Sequence, residues 1–160
     1  MSATITLPDE DATFRMADCV ADNAAAGLTV LLDGPVGAGK TTLARRVIQT
    51  LQAREGKAEE VPSPTFTIVQ TYAAGSLEIW HADLYRLTST SELFELGLEA
   101  AFDQSFCLVE WPDRLGDTTP PALRVTLSYG GSDTSRNCRL EADGPLAQNL
   151  QTTLLKAFAP

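Results

Sequence analysis

Leu28-Thr29-Val30-Leu31-Leu32-Asp33-Gly34-Pro35-Val36-Gly37-Ala38-Gly39-Lys40-Thr41 is the stretch on which the reading turns. Its first five residues form a continuous run with β-branched members, the pattern of a strand covered on both faces of a sheet. The run stops at Asp33-Gly34, and Gly34 to Thr41 fits G-x-x-x-x-G-K-[ST]. In that spacing the glycines let backbone N–H groups turn toward phosphate oxygens. From Thr41 onward, Leu43, Val47, Ile48 and Leu51 recur at helical spacing. A strand, a glycine-rich turn and a helix in direct succession are the context a phosphate loop requires. In that context the helix start adds its positive dipole end, the Lys40 ammonium reaches the β- and γ-phosphates, and the Thr41 hydroxyl ligates Mg²⁺. Before nucleotide binds, that ammonium is expected to be solvated.

A magnesium nucleotide site also needs an acid at the carboxyl end of a neighbouring strand, because ligands of open α/β sheets sit outside those ends. Leu77 to Asp83 and Cys107 to Glu110 are two apolar runs that each end in a carboxylate. Asp83 and Glu110 therefore project toward the phosphate loop if both strands run parallel to Leu28–Leu32. The alternative for either acid is a cap, or a pair with Arg86 or Arg114. Thr65, directly after Pro64, offers a hydroxyl toward Mg²⁺ or the γ-phosphate in a switch-type loop, or is an ordinary loop residue. His81, the single histidine, is expected to pack or hydrogen-bond on its strand and not to bind metal. Trp111, beside Glu110, reads as core on residue statistics alone.

Around this unit the chain alternates further elements. Thr4–Leu7 reads as a strand, and Pro8-Asp9-Glu10-Asp11 starts a helix expected to end near Gly27. Phe66–Tyr72 and Leu77–Asp83 flank Ala73-Ala74-Gly75-Ser76 and predict a hairpin. Ser91 to Phe102 is helical with a break at Gly97. Arg124–Tyr129 and Arg136–Ala142 predict a second hairpin, and Pro145–Phe158 a closing helix. With no repeat or linker, residues 1–160 are expected to form one α/β domain of the P-loop NTPase type. Its predicted architecture is a three-layer sandwich around a mixed parallel and antiparallel sheet.

Composition limits the partners. Twelve Lys and Arg against 21 Asp and Glu give a net charge of −9, which opposes attraction to phosphate backbones, so tight tRNA binding by the chain alone is not expected. No apolar run approaches the roughly 18 residues that span a bilayer. The amino-terminal segment has neither a basic n-region nor an apolar h-region, which predicts a cytoplasmic protein without a membrane anchor. Three scattered cysteines and one histidine provide no zinc cluster and no CxxC pair.

By residues alone, an ATPase and a small-molecule kinase use the same loop equally well, and a nucleotide-dependent binding module with negligible turnover is a third reading. A kinase wants an arginine-rich lid, and no later segment clusters arginines. A GTPase wants Asn-Lys-x-Asp, which is absent from the sequence.

Gly34 to Leu43, Ser63-Pro64-Thr65-Phe66-Thr67, His81-Ala82-Asp83-Leu84-Tyr85-Arg86-Leu87, Glu95-Leu96-Gly97-Leu98 and Val109-Glu110-Trp111-Pro112 together resemble the TsaE family in order and spacing. The resemblance runs from about Leu7 to Leu115. It implies a small bacterial ATPase that uses ATP and Mg²⁺ to support TsaD and TsaB in the threonylcarbamoyl modification of adenosine beside the tRNA anticodon. It further implies Gly37, Ala38, Gly39, Lys40, Thr41 and Thr42 as phosphate-binding, Thr41 and Glu110 as Mg²⁺ ligands, and Asp83 as a support near the metal or the attacking water. Thr65 falls in a switch-like loop, Trp111 beside the site, and Glu10 in the segment bordering the nucleotide. Pro35 stands where many members carry an acid.

Overall fold

The structure, a computed structural model, describes residues 2–57 and 59–159. Seven strands, β1 (Ser2–Leu7), β2 (Thr29–Asp33), β3 (Val69–Ala74), β4 (Leu77–Asp83), β5 (Phe106–Glu110), β6 (Leu123–Tyr129) and β7 (Arg136–Ala142), form one sheet in the order β1-β7-β6-β2-β5-β4-β3. β2 is central and runs parallel to both neighbours, β5 and β6, and β4 is parallel to β5. The outer pairs β3–β4, β6–β7 and β1–β7 are antiparallel. The sheet is therefore mixed, as the sequence predicts.

Side chains alternate across β2, and the alternation builds two cores. Val30 and Leu32 enter a core shared with α1 (Glu10–Asp22), α2 (Lys40–Arg54) and α5 (Pro145–Ala157). Leu31 points the other way, into a core shared with α3 (Ser91–Leu96) and α4 (Leu98–Gln104). Helices on both faces complete the predicted sandwich, with the ends of the four parallel strands free to carry a site. Among the described residues, no helix is long and apolar enough to cross a membrane.

Two boundaries differ from expectation by three residues or more. α1 begins where Asp9 accepts the Ala12 N–H at 2.8 Å, a cap worth about 1 kcal/mol. It ends at Asp22, well before Gly27. Ala24 packs on the core from a turn, which is why its spacing looks helical. Gly27 takes φ 89° and gives its N–H to the Ser105 carbonyl at 2.9 Å, steering the chain into β2. The strand expected from Phe66 begins only at Val69. Ile68 adopts φ 68°, and its N–H closes a turn onto the Pro64 carbonyl at 2.7 Å. Its own carbonyl accepts the Asp83 N–H at 2.8 Å, so this hydrogen bonding overrides the β-rich composition of Phe66–Ile68.

Candidate functional site

β2 delivers Asp33 to the sheet edge, where one carboxylate oxygen accepts the Gly34 N–H at 2.8 Å and the other pairs with Arg124 at 3.0 Å. Only glycine fits position 34: φ is 134°, and a Cβ there would lie 2.4 Å from the Leu127 carbonyl oxygen. The chain then wraps through Gly37 and Gly39 into α2, whose first intrahelical bond runs from the Leu43 N–H to the Gly39 carbonyl at 2.9 Å. The N–H groups of Lys40, Thr41 and Thr42 precede that bond and have no partner within the helix, leaving a positive helix end. In front of it lies a cavity of about 370 Å³. Gly37, Gly39, Lys40, Thr41 and Thr42 line one side, and Thr65, Asp83, Tyr85, Glu110 and Trp111 the other.

The parallel register places Asp83 beside Glu110 at the carboxyl ends of β4 and β5, as expected. Glu110 is 2% exposed. Its Oε1 accepts the Thr41 hydroxyl at 2.6 Å, and its Oε2 lies 2.6 Å from His81 Nε2. His81 is fully buried, and its Nδ1 has no hydrogen-bond partner. We therefore assign the proton to Nε2, which donates to the carboxylate. Asp83 accepts the Tyr85 N–H at 3.0 Å and the Thr65 hydroxyl at 3.2 Å, and Thr65 also meets the Ser63 hydroxyl at 2.7 Å. Neither acid has an arginine partner among the described residues. Arg86 instead lies over the Phe66 ring, 4.5 Å from its centroid.

Lys40 is not solvated as expected. It is 5% exposed, its ammonium donates to the Gly34 and Pro35 carbonyls at 2.6 and 3.0 Å, and it sits 4.1 Å from the centroid of the Trp111 ring. Burial pushes its pKa below the usual lysine value, against the opposing pull of Glu110, Asp33 and Asp83. Trp111 is core only in part: it packs against the core that contains Leu31 and also lines the cavity. It is half-buried at the cavity wall, with its ring 4.9 Å from that of Tyr85 and its backbone at φ 58°. Such a backbone is uncommon outside glycine and is characteristic of functional sites.

Glu10 and Ala38 do not line the main cavity. They border a smaller one of about 140 Å³ with Thr13 and Arg136, which shares Gly37, Gly39 and Thr42 with the first. Sequence reasoning missed Tyr129 and Arg136. Tyr129 donates its hydroxyl to the Val36 carbonyl at 2.6 Å, and Arg136 Nε donates to the Ala38 carbonyl at 2.8 Å. Both read as ordinary strand residues, and only the pairing of β6 with β7 brings them to the loop.

The family described as "Threonylcarbamoyl adenosine biosynthesis protein TsaE" matches residues 7–138. A Rickettsia conorii protein called tRNA threonylcarbamoyladenosine biosynthesis protein TsaE is 39% identical over 123 residues, covering 76% of this chain and 69% of its own. A Haemophilus influenzae protein of the same description is 34% identical over 155 residues, covering 93% and 95%. Among solved structures, Bacillus subtilis YdiB superimposes with a TM-score of 0.75 at 27% identity, covering 98% of this chain and 96% of that one.

Proposed function

Because the chain belongs to the TsaE family of threonylcarbamoyl adenosine biosynthesis proteins, we propose that it binds and hydrolyses Mg-ATP in the large cavity. Through that cycle it supports the TsaD–TsaB complex in modifying tRNA adenosine, as a cytoplasmic partner protein. The observation that carries the reading is the Thr41 hydroxyl bonded to the buried Glu110 carboxylate at 2.6 Å, directly below an unpartnered helix start. A hydroxyl and a carboxylate supply the hard oxygen ligands that Mg²⁺ prefers, and few protein ligands suffice because phosphates and water complete its shell. The residues present fit that ion: Thr41 and Glu110 would hold it, and it would neutralise charge developing on the phosphates.

Lys40 exchanges its carbonyl partners for β- and γ-phosphate oxygens, and the N–H groups of Gly37 and of Gly39 to Thr42 take the rest of the phosphate chain, while the Ala38 N–H, expected among them, bonds the Pro35 carbonyl at 3.2 Å. Asp83, buried and 3.2 Å from the Thr65 hydroxyl, orients the attacking water or the metal shell. The segment around Thr65 then reports on the γ-phosphate. Glu10 and Thr13, along the smaller cavity, border the nucleoside end. Trp111 and Tyr85 shield the phosphates from water. Lys40 is the one cation lining the large cavity among the described residues, which favours hydrolysis awaiting a partner over a kinase with its own arginine lid.

The test is ADP release measured with and without TsaB and TsaD, plus co-purification with that pair in ATP, ADP or no nucleotide. Slow release alone, a changed rate with the pair and nucleotide-dependent association are expected. Nucleotide-independent association, or tight tRNA binding by this chain alone, overturns the reading.

A further inference from the structure

We propose that Tyr129 and Arg136 are positioning residues for the phosphate loop, holding its carbonyls outward so that its N–H groups face the cavity. The inference rests on the nucleotide reading above and extends it to the hairpin of β6 and β7.

The argument starts from the peptide plane. In a trans peptide the C=O of one residue and the N–H of the next point in opposite directions, so fixing one aims the other. The Tyr129 hydroxyl takes the Val36 carbonyl at 2.6 Å and thereby aims the Gly37 N–H. Arg136 Nε takes the Ala38 carbonyl at 2.8 Å and aims the Gly39 N–H. Gly37 and Gly39 both line the large cavity. The peptides at Gly34 and Pro35 are held by Lys40, which leaves the loop when it turns to phosphate. Asp33 holds only the Gly34 N–H at the start of the loop; for the peptides further along, Tyr129 and Arg136 are the side-chain holders that stay, and glycine-rich peptides need them because they have little conformational preference of their own.

Arg136 borders the smaller cavity, but its guanidinium is tied into the hairpin. Its NH1 donates to the Asp133 and Ser135 carbonyls at 2.7 and 2.8 Å, and its NH2 reaches the Gly37 carbonyl at 3.5 Å. The guanidinium lies 5.0 Å from the centroid of the Tyr129 ring. Antiparallel register pairs Tyr129 with Arg136, so the two donors form one clamp at the hairpin end. Tyr129 also closes down on Gly37: a Cβ there would meet its hydroxyl at 3.0 Å.

Calorimetric titration of Tyr129→Phe, Arg136→Ala and Arg136→Lys against two probes tests the clamp. One probe is Mg-ATP, and the other is Mg-tripolyphosphate, which has phosphates and no nucleoside. Tyr129→Phe removes one hydroxyl from an exposed ring and should weaken both probes by the same factor, about tenfold for one hydrogen bond. Arg136→Ala should lose more, and Arg136→Lys should not restore it, since a single ammonium cannot reproduce the fork. The ligand-free melting temperature of Tyr129→Phe should stay within about 2 °C of the parent. Unchanged affinity in a folded Tyr129→Phe variant overturns the clamp, and so does a loss confined to ATP, which would make Arg136 a nucleoside contact. If the parent protein binds neither probe, the nucleotide reading fails and takes the clamp with it.

Discussion

Lys40→Met keeps a side chain of similar length and removes the ammonium that sits over Trp111, and the structure sets the size of the effect. A charge-assisted hydrogen bond contributes about 1.5–3 kcal/mol net. Were the ammonium solvated before binding, it would collect two or more such bonds from phosphate. It is instead already held by the Gly34 and Pro35 carbonyls at 2.6 and 3.0 Å, so binding exchanges partners. The surviving gain is the difference between carbonyl and phosphate partners, on the order of one such bond. Removing it should weaken Mg-ATP about tenfold to a hundredfold. Stability should change little: two carbonyls lose a donor, while a charge disfavoured by burial disappears. Burial depresses the Lys40 pKa below 10.5 in the folded protein, so the unfolded chain binds that proton more tightly between the two values. Stability owed to this group therefore rises with pH across the window just below 10.5. The variant lacks that rise, and the difference between parent and variant melting curves against pH isolates it. Titration calorimetry and thermal melts by circular dichroism provide both readouts. Unchanged ATP affinity in a folded variant refutes the reasoning, and so does an equal pH response in the two proteins.

Glu110→Gln leaves an amide that cannot accept from both the Thr41 hydroxyl and His81 Nε2, so turnover should fall more than nucleotide affinity, with Asp83→Asn milder in steady-state kinetics against Mg²⁺. If Asp83→Asn alone alters the Mg²⁺ dependence, the two acids are assigned the wrong way round. Gly34→Ala meets the Leu127 carbonyl at 2.4 Å with φ 134° and should cost at least about 3 kcal/mol in denaturant titration. Gly39→Ala, with no atom within 4 Å of its Cβ, should cost less, and equal losses would discount the steric account. Burial pushes Cys107 and Cys138 up to about 12 and raises Cys19 less far. A thiol reagent near pH 8 should therefore label Cys19 alone until the chain unfolds, when all three react. Rapid labelling of three thiols in the native protein contradicts this.

The central strand, the loop and the two acids were legible because each is a local pattern with a fixed physical purpose. A doubly buried strand must be apolar throughout, a phosphate cradle must be glycine-rich, and strand ends facing a ligand carry the acids. Phe66–Ile68 misled because β-propensity describes side chains, whereas the turn at Ile68 is decided by where its N–H and carbonyl find partners. Trp111 and Lys40 misled for a related reason. Their exposure depends on each other, through a contact between residues 71 positions apart in the sequence. Tyr129 and Arg136 carry no motif, since an arginine or tyrosine in a strand is ordinary until the sheet order sets that hairpin beside the loop.

The same hydrogen bonds explain how a nucleotide could be read from outside the cavity. Asp83 holds the Thr65 hydroxyl at 3.2 Å, and its N–H bonds the Ile68 carbonyl at 2.8 Å, so the segment from Thr65 to Ile68 is fastened to the site at both ends. Between those ends it carries Phe66, 78% exposed with the Arg86 guanidinium over its ring. A β-branched residue at φ 68° stores strain on the order of 1–3 kcal/mol, so the fastened conformation of Ile68 is held by those bonds against its own preference. In the ATP cycle proposed above, a γ-phosphate that drew Thr65 from Asp83 would release one end and free Phe66 to rearrange. A ligand shifts an equilibrium only by its unequal affinity for two states, and here the inequality is one threonine hydroxyl bonded either to Asp83 or to phosphate. Under that proposal, a partner that recognised Phe66 in only one of these arrangements would distinguish ATP from ADP without touching the nucleotide.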